Sequence, residues 1–507
     1  MRAKYLVRNL ENIKTFGNAN VFIKDISTDS RSVKSGGAFF AIRGSNTDGN
    51  KFIEQAIARG AVMVVSEKAP TLPERKNLFW VQTDDVLEKL SQVANEFYRN
   101  PSEKLKVIGI TGTNGKTTLS YILERVLKRA GIKTGVIGTV NYRINGRKIS
   151  AAANTTPLAH SLQKLIRRMS REKVKILIME VSSHSLALHR VDNVQFDAAA
   201  FTNLKRDHLD FHKSKAEYLR AKIKLFHLLG ASIKEPKIAA INSDDAASVE
   251  IKAKCGKKIT IFSYGLNLEA DFAASDIQIS PEKTLFTIRY PTGKIKIESY
   301  LLGLHNVYNI LAAFAILYAM GVKSRVIARG IAGIKNIPGR LEKIAAQGFS
   351  IFVDYAHTDD ALKNVLENLR RITRKKIITV FGCGGDRDRT KRGPMGHVAC
   401  SMSDTVIITD DNPRTEDPKR IFSDILKGIK GKFTNYRIIT PRERAIYRAI
   451  KSAKQGDIVL IAGKGHENYQ ILKSGRIHFD DREVAKKALR QLNTAPGRAA
   501  NKKGRSK

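Results

Sequence analysis

The stretch Lys106-Val-Ile-Gly-Ile-Thr-Gly-Thr-Asn-Gly-Lys116-Thr-Thr118 decides the fold. Its first six residues form a short apolar run, the pattern of a strand covered on both faces of a parallel sheet. A glycine-rich turn follows. Beyond it Leu119, Ile122, Leu123, Val126, Leu127 and Ala130 fall at helical spacing, and Gly131 supplies the stop. In a strand–glycine turn–helix unit the backbone N–H groups can wrap phosphate oxygens, and the helix N-terminus adds partial positive charge. Gly112, Thr113, Asn114, Gly115, Lys116, Thr117 and Thr118 are therefore candidate nucleotide-binding residues. Lys116 would reach the β- and γ-phosphates of ATP, and the Thr117 hydroxyl would ligate Mg²⁺. The glycines sit at 109, 112 and 115, a departure from the usual GxxxxGK[ST] spacing. The strand before and the helix after outweigh a chance lysine.

Working outward, further apolar strands read Lys175–Val181, Asp197–Thr202 and Lys237–Asn242, with a β-rich stretch over 257–300 expected to add edge strands. A second α/β series follows Ile337-Pro-Gly339, with strands at 350–354, 376–381, 404–409 and 457–462, each running into a polar or glycine-rich turn. In open α/β sheets such carboxyl ends line the ligand crevice. At about 150 residues per domain, 507 residues suggest three. The expectation is an α/β chain of three segments, over 1–100, 101–336 with a mostly parallel sheet around the phosphate loop, and 337–494 with a second α/β series, followed by a disordered basic tail over 495–507.

Composition narrows the class. Apolar residues make up 42 % and charged residues 27 %, which argues against a rod, a collagen or wholesale disorder. No apolar run is long enough to span a bilayer, and the start lacks a secretory h-region, so a cytoplasmic enzyme is expected. Cys255, Cys383 and Cys400 are too scattered for a disulfide framework or a CxxC metal site. Lys+Arg 89 against Asp+Glu 48 gives a net charge of +41, which attracts polyanions. The cations are dispersed, however, and no aromatic-interleaved basic patch appears, so no specific nucleic-acid partner is expected.

Strand 175–181 ends in Glu180-Val-Ser-Ser-His184, where a P-loop protein places its metal-side acid. Farther on, His208 can ligate a cation through a neutral nitrogen, and Lys222 lies in a helical pattern.

Ten motifs then fall in order. They are Thr111-Gly-Thr-Asn-Gly-Lys-Thr-Thr118, Asn154-Thr-Thr-Pro157, Glu180-Val-Ser-Ser-His184, Asn203-Leu-Lys-Arg-Asp-His-Leu-Asp210, His305-Asn-Val-Tyr-Asn309 and Pro338-Gly-Arg-Leu-Glu342, then Asp354-Tyr-Ala-His357, Gly382-Cys-Gly-Gly-Asp-Arg-Asp388, Asp411-Asn-Pro-Arg414 and Gly463-Lys-Gly-His-Glu467. The chain resembles the Mur ligase family across residues 20 to 490. The resemblance implies that these segments are an N-terminal UDP-binding domain, a central P-loop ATPase domain and a Rossmann-like C-terminal domain that receives an amino acid. It implies that Lys222 is carbamylated and that Thr117, Glu180, His208 and carbamyl-Lys222 hold Mg²⁺. It further implies catalytic roles for Lys116, Glu180, His208 and Lys222, and ATP contacts from Asn306, Arg340 and Asp354.

For the UDP-N-acetylmuramoyl dipeptide, the positions implied are Ser30, Ser45, Asn46, Thr47, Asn154, Thr155, Thr156, Ser182 and Arg190. Family members often carry Gln two residues before that arginine; here it is Leu188. The branch that adds meso-diaminopimelate carries Asp-Asn-Pro-Arg, matched by Asp411, Asn412, Pro413 and Arg414, with Arg387, Gly463 and Glu467 at the other amino-acid positions. A guanidinium grips a carboxylate through two parallel hydrogen bonds, so Arg414 suits the far carboxylate that lysine lacks. The implied activity is ATP-dependent amide formation through an acyl phosphate, by a chain expected to act as a monomer. The rivals are a lysine-adding ligase, another Mur ligase, a folylpolyglutamate synthetase, and a basic P-loop protein that binds nucleic acid.

Overall fold

The computed structural model describes all residues except 45, 46, 71–75, 153 and 495–507. Ser45 and Asn46 of the expected substrate set, and the expected tail, lie outside the described residues. The fold is α/β with mostly parallel sheets in three domains. The chain packs as two compact units, one of residues 1–272 with 311–327 and one of residues 273–310 with 328 onward.

The first unit opens with a five-stranded sheet in the order Ile13–Gly17, Phe79–Thr83, Ala61–Ser66, Gly37–Phe40, Asp25–Ser27, parallel but for its first pair. Strict alternation sends Phe40, Val65 and Val81 to one core and Phe39, Val64 and Trp80 to the other. Helix Val86–Phe97 follows, capped by Asp85, whose carboxylate accepts from Glu88 N at 2.8 Å.

The larger sheet of this unit runs Ile259–Gly265, Lys237–Asn242, Ala198–Phe201, Lys106–Thr111, Ile176–Glu180, Thr134–Ile137 in parallel. Asn141–Ile144 and Arg147–Ala151 continue it antiparallel. Lys106–Thr111 is central, buried on both faces apart from Lys106, as its apolar run requires. Helix Lys116–Arg129 leaves its carboxyl end, and Gly131 closes that helix at φ +76°. The stretch expected as edge strands resolves into Ile259–Gly265 in this unit and an antiparallel meander, Phe272–Ile279, Thr284–Tyr290 and Gly293–Ser299, whose residues from 273 on belong to the second unit.

The second unit holds a six-stranded sheet in the order Glu342–Ile344, Ser350–Asp354, Ile458–Ala462, Ile377–Phe381, Thr405–Ile408, Tyr436–Ile438, parallel except at its first pair. Arg442 and Asp481, both with fully buried side chains, tie its carboxyl ends together. Arg442 donates Nε to Asp481 Oδ1 and Nη2 to Oδ2, both at 2.8 Å, and reaches the carbonyls of Ala462 and Asp410. Arg442→Met leaves Asp481 as an uncompensated buried charge. The expected loss is about 3–5 kcal/mol, read as a lowered urea midpoint.

The three cysteines are free thiols. Among the described residues no helix is long and apolar enough to cross a membrane.

Candidate nucleotide and amino-acid sites

Gly112 and Gly115 adopt φ +141° and +92°, a region that favours glycine. A Cβ at 112 would also strike the Thr202 hydroxyl. The loop is pinned to the neighbouring strand end: Thr113 N donates to Asn203 O at 2.8 Å, Asn114 N to Asn203 Oδ1 at 3.0 Å, and Thr202 Oγ1 to Asn114 O at 2.6 Å. Lys116 folds over it, its ammonium 2.7 Å from Gly112 O and 2.9 Å from Thr113 O. The result is a preformed concave backbone at the N-terminus of a 14-residue helix, which suits a polyphosphate.

Thr117 and Glu180 meet at its mouth, Oγ1 to Oε2, 2.9 Å apart. Glu180 is 1 % exposed. Thr139 holds it through N and Oγ1 at 3.2 and 2.8 Å, and Ser120 reaches Oε1 at 3.4 Å. A Cβ at Gly138 would collide with the same carboxylate, so Gly138→Ala displaces Glu180 and is expected to reduce turnover while leaving the fold intact. Ser120, Gly138 and Thr139 carry no motif of their own, and sequence reasoning missed them.

The Asn154–Thr156 motif lies against this acid. Thr139 Oγ1 and Thr155 Oγ1 are 3.1 Å apart, and Thr156 Oγ1 donates to Glu180 O at 2.8 Å. Arg190 donates to Thr156 O at 2.9 Å, and its buried Nε has no hydrogen-bond partner among the described residues. Ser182 caps the short helix Ser183–Ala187 and donates its N–H to Thr156 Oγ1 at 3.3 Å. Tyr142 OH donates to Asn154 O at 2.9 Å. Ser30 lies apart from this group, its hydroxyl 2.6 Å from Gln55 Oε1; Thr47 O accepts from Gly44 N.

Lys222 is 1 % exposed, with its ammonium 4.0 Å from the centre of the Tyr218 ring. Among the described residues no carboxylate forms an ion pair with it. Burial, and then the nearby Lys116 charge, push its pKa well below the ordinary lysine value. Tyr218 OH is 3.2 Å from Thr113 Oγ1, tying this pocket to the phosphate loop. His208, at φ +54°, packs its ring 4.8 Å from His184 and 6.2 Å from Tyr218. Among the described residues no three His, Cys, Asp or Glu side chains form a metal-holding group.

In the second unit, Asp354 is buried and accepts from Leu341 N at 2.6 Å and Ala356 N at 2.8 Å. Burial raises its pKa despite Arg340. Arg340 lies 5.0 Å from the Tyr355 ring, and Asn306 Nδ2 donates to Leu302 O at 2.8 Å.

The loops after strands Ile377–Phe381, Thr405–Ile408 and Ile458–Ala462 converge. Arg414, at φ +55°, donates Nη1 to Gly385 O at 2.7 Å and Asn412 O at 3.3 Å. It pairs with neither Glu416 nor Asp417. Glu416 is taken by Arg392, whose two terminal nitrogens each sit 2.7 Å from a Glu416 oxygen, and this pairing lowers the Glu416 pKa to about 2. Asn412 Nδ2 donates to Glu467 Oε2 at 3.0 Å. Gly463, at φ +115°, leaves room for Asp411, whose Oδ2 a Cβ would meet at 2.9 Å. Pro413 continues the turn, and Arg387 is exposed without a hydrogen bond among the described residues. Arg392 and Arg442, which fix these loops, were not singled out by the sequence: a basic residue in a helix reads as solvated.

In the first unit, a phosphate cradle beside a threonine–glutamate pair defines a nucleotide-binding α/β protein; in the second, a Rossmann-like sheet presents Arg414, with which no carboxylate forms an ion pair among the described residues. Family models agree along the chain: "Mur ligase family, catalytic domain" matches residues 22–98, "Mur ligase middle domain" 110–317, and "Mur ligase, glutamate ligase domain" 339–465. A Solibacter usitatus protein named UDP-N-acetylmuramoyl-L-alanyl-D-glutamate–2,6-diaminopimelate ligase is 45 % identical over 475 residues, 93 % of this chain and 94 % of that protein. One of the same name from Bacillus licheniformis is 41 % identical over 97 % of this chain and all of its own length. A solved structure with that name superposes with a TM-score of 0.67 at 33 % identity, covering 93 % of this chain and 96 % of the other. A Mycobacterium tuberculosis folylpolyglutamate synthase complexed with ADP shares the fold, with a TM-score of 0.62 at 16 % identity over 74 % of this chain and 91 % of its own. The chain belongs to the Mur ligase family, and it is an ATP-dependent ligase that forms a peptide bond.

Proposed function

We propose that this enzyme adds meso-2,6-diaminopimelate to UDP-N-acetylmuramoyl-L-alanyl-D-glutamate in peptidoglycan precursor synthesis, with ATP. The observation that carries the choice of amino acid is Arg414. Two carbonyls aim its guanidinium, and among the described residues no carboxylate forms an ion pair with it, Glu416 being held by Arg392. It therefore offers a cation to a carboxylate that diaminopimelate has and lysine does not. Glu467 and Asp411 beside it suit the ammonium groups, with Asn412, Pro413 and Gly463 shaping the turn and Arg387 at its rim. The names of the relatives support the same reading.

In this reading the phosphate loop from Gly112 to Thr118 holds the triphosphate. Lys116 follows the charge of the transferring phosphoryl group. Asn306, Arg340 and Asp354 serve the rest of the nucleotide. Ser30, Thr47, Asn154, Thr155, Thr156, Ser182 and Arg190 hold the sugar peptide, as do Ser45 and Asn46, which lie outside the described residues. Leu188 contributes no polar contact there. The oxygen donors of Thr117 and Glu180 fit Mg²⁺, a hard cation, with His208 and carbamylated Lys222 completing the set. When bound, Mg²⁺ neutralises charge on the phosphates.

The γ-carboxylate of the D-glutamyl residue attacks the γ-phosphorus; the bond to ADP breaks and an acyl phosphate forms. The amine of diaminopimelate attacks the acyl carbon, phosphate leaves, and the amine loses a proton. The acyl phosphate must be kept from water. Domain boundaries near residues 100 and 337, cytoplasmic residence and a monomeric state belong to this proposal. Purified enzyme is expected to release ADP only when ATP, the UDP-dipeptide and diaminopimelate are all present. ATP hydrolysis stimulated by DNA and indifferent to the other substrates would contradict it.

A further inference from the structure

Lys464 has a fully buried side chain, yet no step above uses it. Two glycines put it there. At Gly463, φ +115°, a Cβ would crowd Asp411; at Gly465, φ +53°, one would run into Tyr355 at 2.7 Å. The chain between them turns inward.

A buried ammonium is unfavourable unless its protons meet acceptors. Lys464 Nζ donates to Glu467 Oε2 at 3.0 Å and to Asn412 Oδ1 at 3.1 Å. Asn412 closes the triangle by donating Nδ2 to the same Glu467 oxygen at 3.0 Å, and Ile471 N fixes Asn412 Oδ1 at 2.9 Å. Glu467 Oε2 is thus occupied twice from inside the protein. Among the described residues, Oε1 has a single long hydrogen bond, from Tyr469 OH at 3.3 Å.

We propose that Lys464 is a positioning residue for the amino-acid substrate: with Asn412 it locks one oxygen of Glu467 so that the other is presented to an ammonium of the incoming diamino acid. The inference rests on the amino-acid site proposed above. A lone glutamate on a loop would rotate between both oxygens. Tied at one, it meets the substrate with one geometry, in register with Arg414, whose Nη1 bonds the Asn412 carbonyl. Lys464 touches no substrate; its effect travels through Glu467.

The test is a double-mutant cycle on the full-length enzyme. Lys464→Met keeps the unbranched stem, one atom shorter, and removes its charge. It is expected to raise KM for diaminopimelate by about ten- to a hundred-fold, the range of one charge-assisted hydrogen bond, with KM for ATP and for the UDP-dipeptide unchanged. In a Glu467→Gln background the same substitution should add less than about three-fold, because the group it acts through is already altered. Multiplicative effects in the double variant, or equal rises in all three KM values, would overturn the proposal and leave Lys464 a packing residue. Where Lys464→Met fails to fold, Lys464→Gln, which still donates to one partner, is expected to give an intermediate KM. An inactive wild type with diaminopimelate would instead sink the amino-acid assignment, which this cycle reads separately.

Discussion

Lys222→Ala is expected to lower kcat by about 10²–10³-fold, the scale of removing one preorganised charged group at a phosphoryl-transfer site. A short-chain carboxylic acid added to the assay should recover part of the loss. The reasoning begins with burial. A lysine with 1 % exposure and no ion pair among the described residues does not keep its proton easily, and the Asp207 charge opposes this loss only weakly. Lys116 nearby pushes in the same direction as burial. The neutral amine, formed when the ammonium gives up one proton, is the form that takes up CO₂: the N–C bond forms, a second proton leaves the nitrogen, and the product is a carbamate anion. That change would supply an anionic oxygen donor in addition to Glu180. Alanine leaves a space beside Tyr218 into which a small carboxylate fits. Undiminished activity of Lys222→Ala would remove the carbamate from the mechanism.

Arg414→Ala carries the second large effect. Losing a charged hydrogen-bonded contact corresponds to about 1.5–3 kcal/mol, so KM for diaminopimelate should rise by about ten- to a hundred-fold. The nearby folding is expected to hold, because the loop is anchored independently by Arg392 on Glu416 and Asp424. ATP affinity should not change. The residual use of lysine should be unaffected, since lysine offers no second carboxylate. An unchanged KM for diaminopimelate would refute the assignment of Arg414, and would point to Arg387 as the cation that reads the substrate.

The central strand and its helix were legible because local pattern and tertiary role coincide there. A run buried on both faces reads as apolar throughout, and Gly112 and Gly115 mark backbone that other residues adopt poorly. Glu180 was legible for the same reason: the strand ends where the acid sits. Thr139, Ser120 and Gly138 were not, because their importance lies in touching Glu180 from 41, 60 and 42 residues away in the chain. Arg392 and Arg442 were hidden by chemistry. Arginine in a helix is ordinarily solvated, and only the fold reveals that both are fully buried on carboxylates. The meander after residue 272 was read as strands but without its pairing, which depends on turns that composition does not fix.

The most direct test is the mass of the product formed from ATP, UDP-N-acetylmuramoyl-L-alanyl-D-glutamate and an equimolar mixture of meso-diaminopimelate and L-lysine. The expected result is a single UDP-tripeptide carrying diaminopimelate, with one ADP and one phosphate per amide formed. A lysine-containing product, or ATP consumed without any new amide, would contradict the account.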